Sequence, residues 1–121
     1  MGTRADFYIG TGPKAEWLGS VGWDGYEWAE DKDCPLMMAK TKEEFRDTVK
    51  RISEYREDWT SPSDGWPWPW EDSNTTDYVY SFGRTKTSVF KFGGPKNGWP
   101  NMKDIMNVSF GKNSGLIVIG G

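Results

Sequence analysis

The stretch of sequence that decides the fold covers residues 41–59 and reads TKEEFRDTVKRISEYREDW. Its large apolar side chains recur at steps of four, three, three and four: Phe45, Val49, Ile52, Tyr55 and Trp59. That spacing is the period of a helix with one apolar face. Thr41 stands three residues before Glu44, as in a capping box. The pattern predicts an amphipathic helix over about residues 42–57, with its Lys, Arg and Glu side chains in solvent.

Strand-like segments rich in aromatic and β-branched residues flank this helix on both sides. They cover residues 6–9, 17–23, 75–82, 87–92, 108–110 and 116–119. The first two form a predicted hairpin, in which alternation places Trp17, Gly19, Val21 and Trp23 on one face. The next two form a second hairpin, with Tyr78, Tyr80 and Phe82 on one face. The order β-β-α-β-β-β predicts a single α+β domain over residues 1–121, with one main helix on a mostly antiparallel sheet.

The composition argues against most enzyme classes. The 121 residues contain no His and one Cys. Without His, the commonest general base, metal ligand and partner of a Ser or Cys nucleophile are all missing. Cys34 alone makes neither an internal disulfide nor a thiolate metal cluster. We therefore expect a protein that is not an enzyme and that has no catalytic residue, metal or cofactor.

Three further observations bear on localisation and partners. The N-terminal residues lack the apolar core of a secretory signal. The longest apolar run, residues 116–119, is far shorter than the roughly 20 residues that a membrane span needs. The formal net charge of -3 provides no broad positive field for nucleic acid. We expect a cytoplasmic protein that binds neither membrane nor nucleic acid.

The eight tryptophans are concentrated in two places outside the predicted core. The loop 24–33 carries five acidic side chains against Lys32 and contains Trp28. The segment 65–70 reads GWPWPW, where the prolines fix an extended backbone and alternation places its three tryptophans on one side. Carboxylates and aromatic anchors suit a protein interface, so we predict these partner contacts: Glu27, Trp28, Glu30, Asp31, Trp66, Trp68 and Trp70. By contrast, Trp17, Trp23 and Trp59 are expected in the core.

Other interpretations of these residues stay open. The tryptophan segment could instead cover the sheet as core, or could stack on a nucleotide or sugar. The acids beside it, Asp64, Glu71, Asp72 and Asp77, fit turn caps as well as a metal or catalytic site. Lysines near aromatic residues, at 91, 96, 103 and 112, allow a nucleic-acid surface. The strand order followed by Gly120-Gly121 is similar to that of ubiquitin-like proteins.

Several short motifs resemble a known group of proteins. They are MGTRADFY at the start, EWLGS, WDGY and GWPWPWEDS. With these motifs the chain resembles a family of small uncharacterised proteins encoded by bacteriophages and mobile elements of proteobacteria. The resemblance implies a host protein or protein complex as partner, and suggests a non-enzymatic protein-binding module such as an anti-CRISPR inhibitor of a host defence system. It does not specify an oligomeric state.

Overall fold

A computed structural model describes residues 3–91 and 98–102 of the chain. Five strands form one sheet in the order β3-β2-β1-β4-β5. The strands are β1 (Ala5–Ile9), β2 (Glu16–Val21), β3 (Trp59–Thr60), β4 (Tyr78–Phe82) and β5 (Thr87–Lys91), and the helices are α1 (Pro35–Met38) and α2 (Lys42–Tyr55). Neighbouring strands are antiparallel except β1 and β4, which are parallel. The predicted α+β fold, with one main helix on a mostly antiparallel sheet, is confirmed.

The central strand β1 sends its side chains into two separate clusters, one on each face of the sheet. Phe7 packs with residues of α2 and with Tyr80, and we call this side the helix face. Tyr8 packs on the other side against Trp99 and Val79. The segment 66–76 lies over that side, which we call the tryptophan face. Each face is therefore covered, and the central strand is buried from both directions.

Helix α2 begins where the sequence predicts and ends two residues earlier. The Thr41 side chain accepts a hydrogen bond from the backbone N–H of Glu44 at 3.1 Å, and Phe45, Val49 and Ile52 face the core. Arg56 leaves the helix with extended backbone angles. As a result Trp59 lies in β3 rather than on the helix, where its ring is 5.4 Å from that of Phe7.

A β-bulge in β2 changes the predicted alternation of the first hairpin. Gly19 pairs with Phe7, whereas Trp17 pairs with Tyr8, so Leu18 is an extra residue between them. An extra residue reverses which face the following side chains occupy. Trp17 consequently packs on the tryptophan face and Val21 on the helix face. Their predicted placement on one face is wrong.

The other predicted features of the fold are confirmed only in part. Trp23 was expected in the core and is 49% exposed. Tyr78, Tyr80 and Phe82 share the helix face, as predicted. The short helix α1 and strand β3 were not predicted. The predicted strands at 108–110 and 116–119, and the C-terminal diglycine, lie outside the described residues.

Candidate protein-binding surface

The acidic loop 24–33 crosses the helix face and places Trp28 inside it. The Trp28 ring meets Phe7 edge to face at 5.3 Å and Tyr80 at 5.7 Å. The Tyr80 hydroxyl donates to the carbonyl of Gly25 at 2.6 Å and accepts the N–H of Ala29 at 3.0 Å, which holds the loop in place. Trp28 is only 6% exposed. Its ring is therefore part of the core, and the contact of Trp28 with a partner stays a prediction.

Arg56 joins the loop to the end of α2. Its guanidinium lies 5.3 Å from the Trp28 ring, pairs with Glu27 at 3.1 Å and with Asp58 at 2.7 Å, and donates to the carbonyl of Trp23. Burial raises the pKa of Asp58, but hydrogen bonds from Arg56 and from two backbone N–H groups, together with the Arg56 charge, hold that pKa below its ordinary value. Glu27 therefore contributes to a structural ion cluster.

The other predicted acids of the loop remain on the surface. Glu30 and Asp31 are exposed, as is Asp33. An Asp31 carboxylate oxygen accepts the backbone N–H of Asp33 at 3.0 Å, which shapes the turn before α1. The loop thus presents three exposed carboxylates, with the exposed Lys32 between Asp31 and Asp33.

Two cavities lie along α2: one is enclosed by α2, α1 and Trp28 of the loop, and the other lies between α1 and α2. The inner cavity has a volume of about 190 Å³ and is lined by Trp28, Pro35, Leu36, Thr48, Arg51, Ile52 and Tyr55. The outer cavity has a volume of about 300 Å³ and is lined by Pro35, Met38, Ala39, Glu44, Asp47, Thr48 and Arg51. The two share Pro35, Thr48 and Arg51, and we call the continuous depression the α1–α2 groove.

Large apolar side chains stand exposed at both ends of the α1–α2 groove. Tyr55 is 60% exposed and Met38 is 52% exposed. The sequence pattern placed Tyr55 in the buried stripe of the helix and did not single out Met38. The one available signal is the position of Tyr55 at the C-terminal end of α2.

The tryptophan segment lies on the opposite face of the sheet. Trp66, Trp68 and Trp70 are half-buried. Each indole N–H has an internal acceptor: the carbonyl of Trp70 for Trp66, the Asp6 carboxylate for Trp68 and the Thr76 hydroxyl for Trp70. Trp68 and Trp70 stack at 5.6 Å, with the Arg4 guanidinium within 5.6 Å of both rings. The segment therefore serves mainly as a cover for the sheet.

A buried carboxylate lies beneath this cover. Asp6 is fully buried on β1 and accepts hydrogen bonds from Ser20 at 2.5 Å, Trp68 at 2.7 Å and Ser73 at 2.7 Å. Ser73 is also bonded to the Tyr8 hydroxyl at 2.8 Å. Burial raises the pKa of the Asp6 carboxyl, although these hydrogen bonds act in the opposite direction. No cation among the described residues pairs with it.

The carboxylates beside the tryptophan segment act as local acceptors. Three of them accept backbone N–H groups at 2.9 Å. Asp64 accepts from Ser61, Asp72 accepts from Asn74, and Asp77 accepts from Arg4. In the described ranges, no group of three or more acidic, Cys or His side chains is placed to hold a metal ion. Of the lysines considered for nucleic acid, Lys91 lies over the Tyr78 ring at 5.9 Å. The other three lie outside the described residues. The turn-cap interpretation accounts for the three aspartates.

The structure thus separates the two predicted contact regions. The exposed acids and the α1–α2 groove belong to the helix face, whereas Trp66, Trp68 and Trp70 cover the tryptophan face. Within residues 3–91 and 98–102, no helix has the length and apolar character required to cross a membrane. No family model, curated protein or solved structure matches this chain. The resemblance to phage and mobile-element proteins accordingly stays a prediction.

Proposed function

We propose that the protein is a non-enzymatic protein-binding module whose contact surface is the α1–α2 groove together with the exposed acids of loop 24–33. The observation that supports this proposal is that an apolar cavity, a more polar cavity and two exposed large apolar side chains meet along α2, and that the loop which supplies Trp28 to the apolar cavity carries three exposed carboxylates. An apolar centre with a charged border is the usual anatomy of a protein interface.

The charge of this surface specifies the kind of partner. Glu30, Asp31 and Asp33 would be repelled by phosphate and attracted by a basic protein surface. On the predicted resemblance, we propose a host protein or protein complex in the bacterial cytoplasm. An inhibitor of a host defence system, such as an anti-CRISPR, fits because the nucleic-acid channels of such systems are basic.

A lysate pull-down with matched variants tests this proposal. Glu30→Lys reverses a charge beside the groove, whereas Glu71→Lys makes the same reversal at an exposed position near the tryptophan segment. We expect a bacterial host protein that is captured by the wild type and by Glu71→Lys but lost with Glu30→Lys and with Tyr55→Ala. Equal capture by all four proteins would reject the assigned surface.

The two alternative functions are less well supported. A nucleotide or sugar site on the tryptophan segment would need polar groups to orient its ligand, and the three indole N–H groups are already bonded within the fold. The ubiquitin-like alternative depends on Gly120-Gly121, which lies outside the described residues. Both alternatives stay predictions, and no described feature favours either one.

A further inference from the structure

We propose that the occupant of the α1–α2 groove is a short basic peptide segment of the partner, with one large apolar side chain inserted beneath Tyr55. This inference rests on the proposed function and adds to it the chemistry of the bound segment. It follows from the size of the cavity, the length of the groove and the charges at its border.

The size of the inner cavity indicates a single side chain. Its volume of about 190 Å³ lies well below the 300–1,000 Å³ of pockets that hold drug-sized ligands. Its floor is apolar, since Trp28, Leu36 and Ile52 are buried core residues. Tyr55 stands at the edge and is largely exposed. One Leu, Met or Phe side chain matches this apolar space better than a polar metabolite does.

The length of the groove indicates a peptide segment. Its lining residues on α2 run from Glu44 to Tyr55, which corresponds to about 16 Å at the rise of an α-helix. An extended chain covers that distance with about five residues. A compact small molecule would fill one end, whereas a segment can contact Met38 at one end and Tyr55 at the other.

The charges at the border indicate a basic segment. The ion pairs among the described residues engage Glu16, Glu27, Asp58 and Asp77. Glu30, Asp31 and Asp33 belong to the loop that supplies Trp28 to the inner cavity, where Lys32 is the one basic residue. Neither these three carboxylates nor Asp47 in the outer cavity forms an ion pair among the described residues. Arg51 is the one cation that lines the two cavities. A segment with two or more Lys or Arg residues would neutralise the excess of carboxylates.

A displayed library of random 12-residue peptides, selected against the full chain, tests this inference. We expect enrichment of peptides that combine Lys or Arg with Leu, Met or Phe. A selected peptide should bind roughly tenfold more weakly to Glu30→Lys and to Tyr55→Ala, a change that corresponds to about 1.4 kcal/mol. It should bind Glu71→Lys as tightly as the wild type. Binding should also weaken at high salt, because the charges are near the surface.

The indole N–H signals of the protein provide an independent readout by NMR. Trp28 lines the inner cavity, whereas Trp66, Trp68 and Trp70 lie on the opposite face of the sheet. Titration with a selected peptide should shift the Trp28 signal, assigned with Trp28→Phe, and leave the other three in place. Shifts confined to those three signals would overturn the inference.

The selection and the pull-down fail in distinguishable ways. If no peptide is enriched, or if the enriched peptides are acidic, the proposed occupant is wrong, while a host protein lost with Glu30→Lys still supports the protein-binding surface. If basic peptides bind the groove but the pull-down shows equal capture by all variants, the preference of the groove for basic peptides stands, while the proposed function fails and with it the assignment of the occupant to a partner.

Discussion

The indole N–H of Trp68 donates a 2.7 Å hydrogen bond to Oδ1 of Asp6 across 62 residues of chain. The same oxygen accepts the Ser20 hydroxyl, which in turn accepts the indole N–H of Trp17. Ser73 donates to the second carboxylate oxygen. One buried acid on the central strand therefore connects β2 with the tryptophan segment, in addition to the hydrogen bond between Ser73 and Tyr8 and the packing of Trp66 on Trp17.

The first prediction concerns Asp6→Ala. The substitution removes the acceptor for Trp68, Ser20 and Ser73 and leaves buried donors unpaired, so we expect the free energy of unfolding to fall by about 3 kcal/mol. Urea denaturation followed by tryptophan fluorescence measures this change. Asp6→Asn should cost less, since it retains one oxygen acceptor and the shape of the side chain. Equal losses for the two variants would contradict the role of the carboxylate oxygen.

The second prediction concerns the pH dependence of stability. Because the folded pKa of Asp6 is raised above its ordinary value of 3.8, the folded state holds this proton more tightly than the unfolded state does. Its contribution to stability is therefore complete below pH 3.8 and is lost as pH rises through the folded pKa. The difference in unfolding free energy between wild type and Asp6→Asn should shrink as pH rises. A difference that grows with pH would show that the pKa is lowered instead.

The third prediction concerns Arg56→Ala. Asp58 is 2% exposed in its side chain and would lose its cation, and we expect a loss of about 3 kcal/mol. Arg56→Lys should retain part of the stability, because it keeps the charge but not the forked hydrogen bonds. The pKa of Asp58 is lowered, so its contribution is present above the ordinary value of 3.8 and is lost as pH falls through the folded pKa. The destabilisation by Arg56→Ala should accordingly be smaller in acid than at neutral pH.

The fourth prediction concerns Gly19→Ala in the bulge. A Cβ atom there would overlap the Trp59 ring, and the φ of +150° is one that side chains with a Cβ rarely adopt. We expect a loss of about 2 kcal/mol or more in thermal or urea unfolding. Gly22→Ala is the matched control, because its Cβ would meet Asp58 at an ordinary 3.7 Å. If both variants unfold alike, the contact between Gly19 and Trp59 does not constrain the bulge.

The fifth prediction concerns Tyr55→Ala at the mouth of the groove. The side chain is 60% exposed, so we expect stability to change by less than about 1 kcal/mol. Capture of the host protein should nevertheless be lost. Ile52→Ala, in the buried floor, should by contrast lower stability by about 3 kcal/mol. A Tyr55→Ala variant that is folded and still captures the partner would separate Tyr55 from the binding surface.

The elements that the sequence predicts well are those with a regular local period. The steps between Phe45, Val49 and Ile52 suffice to locate α2, and alternation assigns the faces of β4 correctly. Alternation alone assigns Trp17 to the wrong face, because the residue pattern does not reveal the bulge at Leu18. The same pattern does not distinguish Gly19, which lies in the bulge, from a regular strand residue.

The candidate site was predicted only in part, because the loop acids lie on the surface as their charge suggests, whereas the burial of Trp28 depends on residues far away in sequence. Glu30 and Asp31 are on the surface as expected. Trp28 is buried despite its acidic neighbours, because Phe7 and Tyr80, which are distant in sequence, provide its contacts. The groove itself depends on α1, a helix of four residues, which is too short to show a helical period in the sequence. Asp6 carried one visible signal, an acid within the apolar strand ADFYI, and the network around it needs residues from three separate segments.

The parallel pairing of β1 and β4 also determines when the chain can fold. Ala5 pairs with Tyr78 and Ile9 with Phe82, so the centre of the sheet cannot form until the chain has been synthesised through residue 82. On the ribosome, the N-terminal hairpin and α2 emerge first, with one edge of β1 still unpaired. Pairing β1 with β4 closes a loop of almost 70 residues, and the entropy cost of closing that loop comes before the contacts that offset it, so this step is slow. The rate of refolding after dilution from denaturant should therefore be limited by the pairing of β4 with β1. Nascent chains that end before residue 78 should be aggregation-prone.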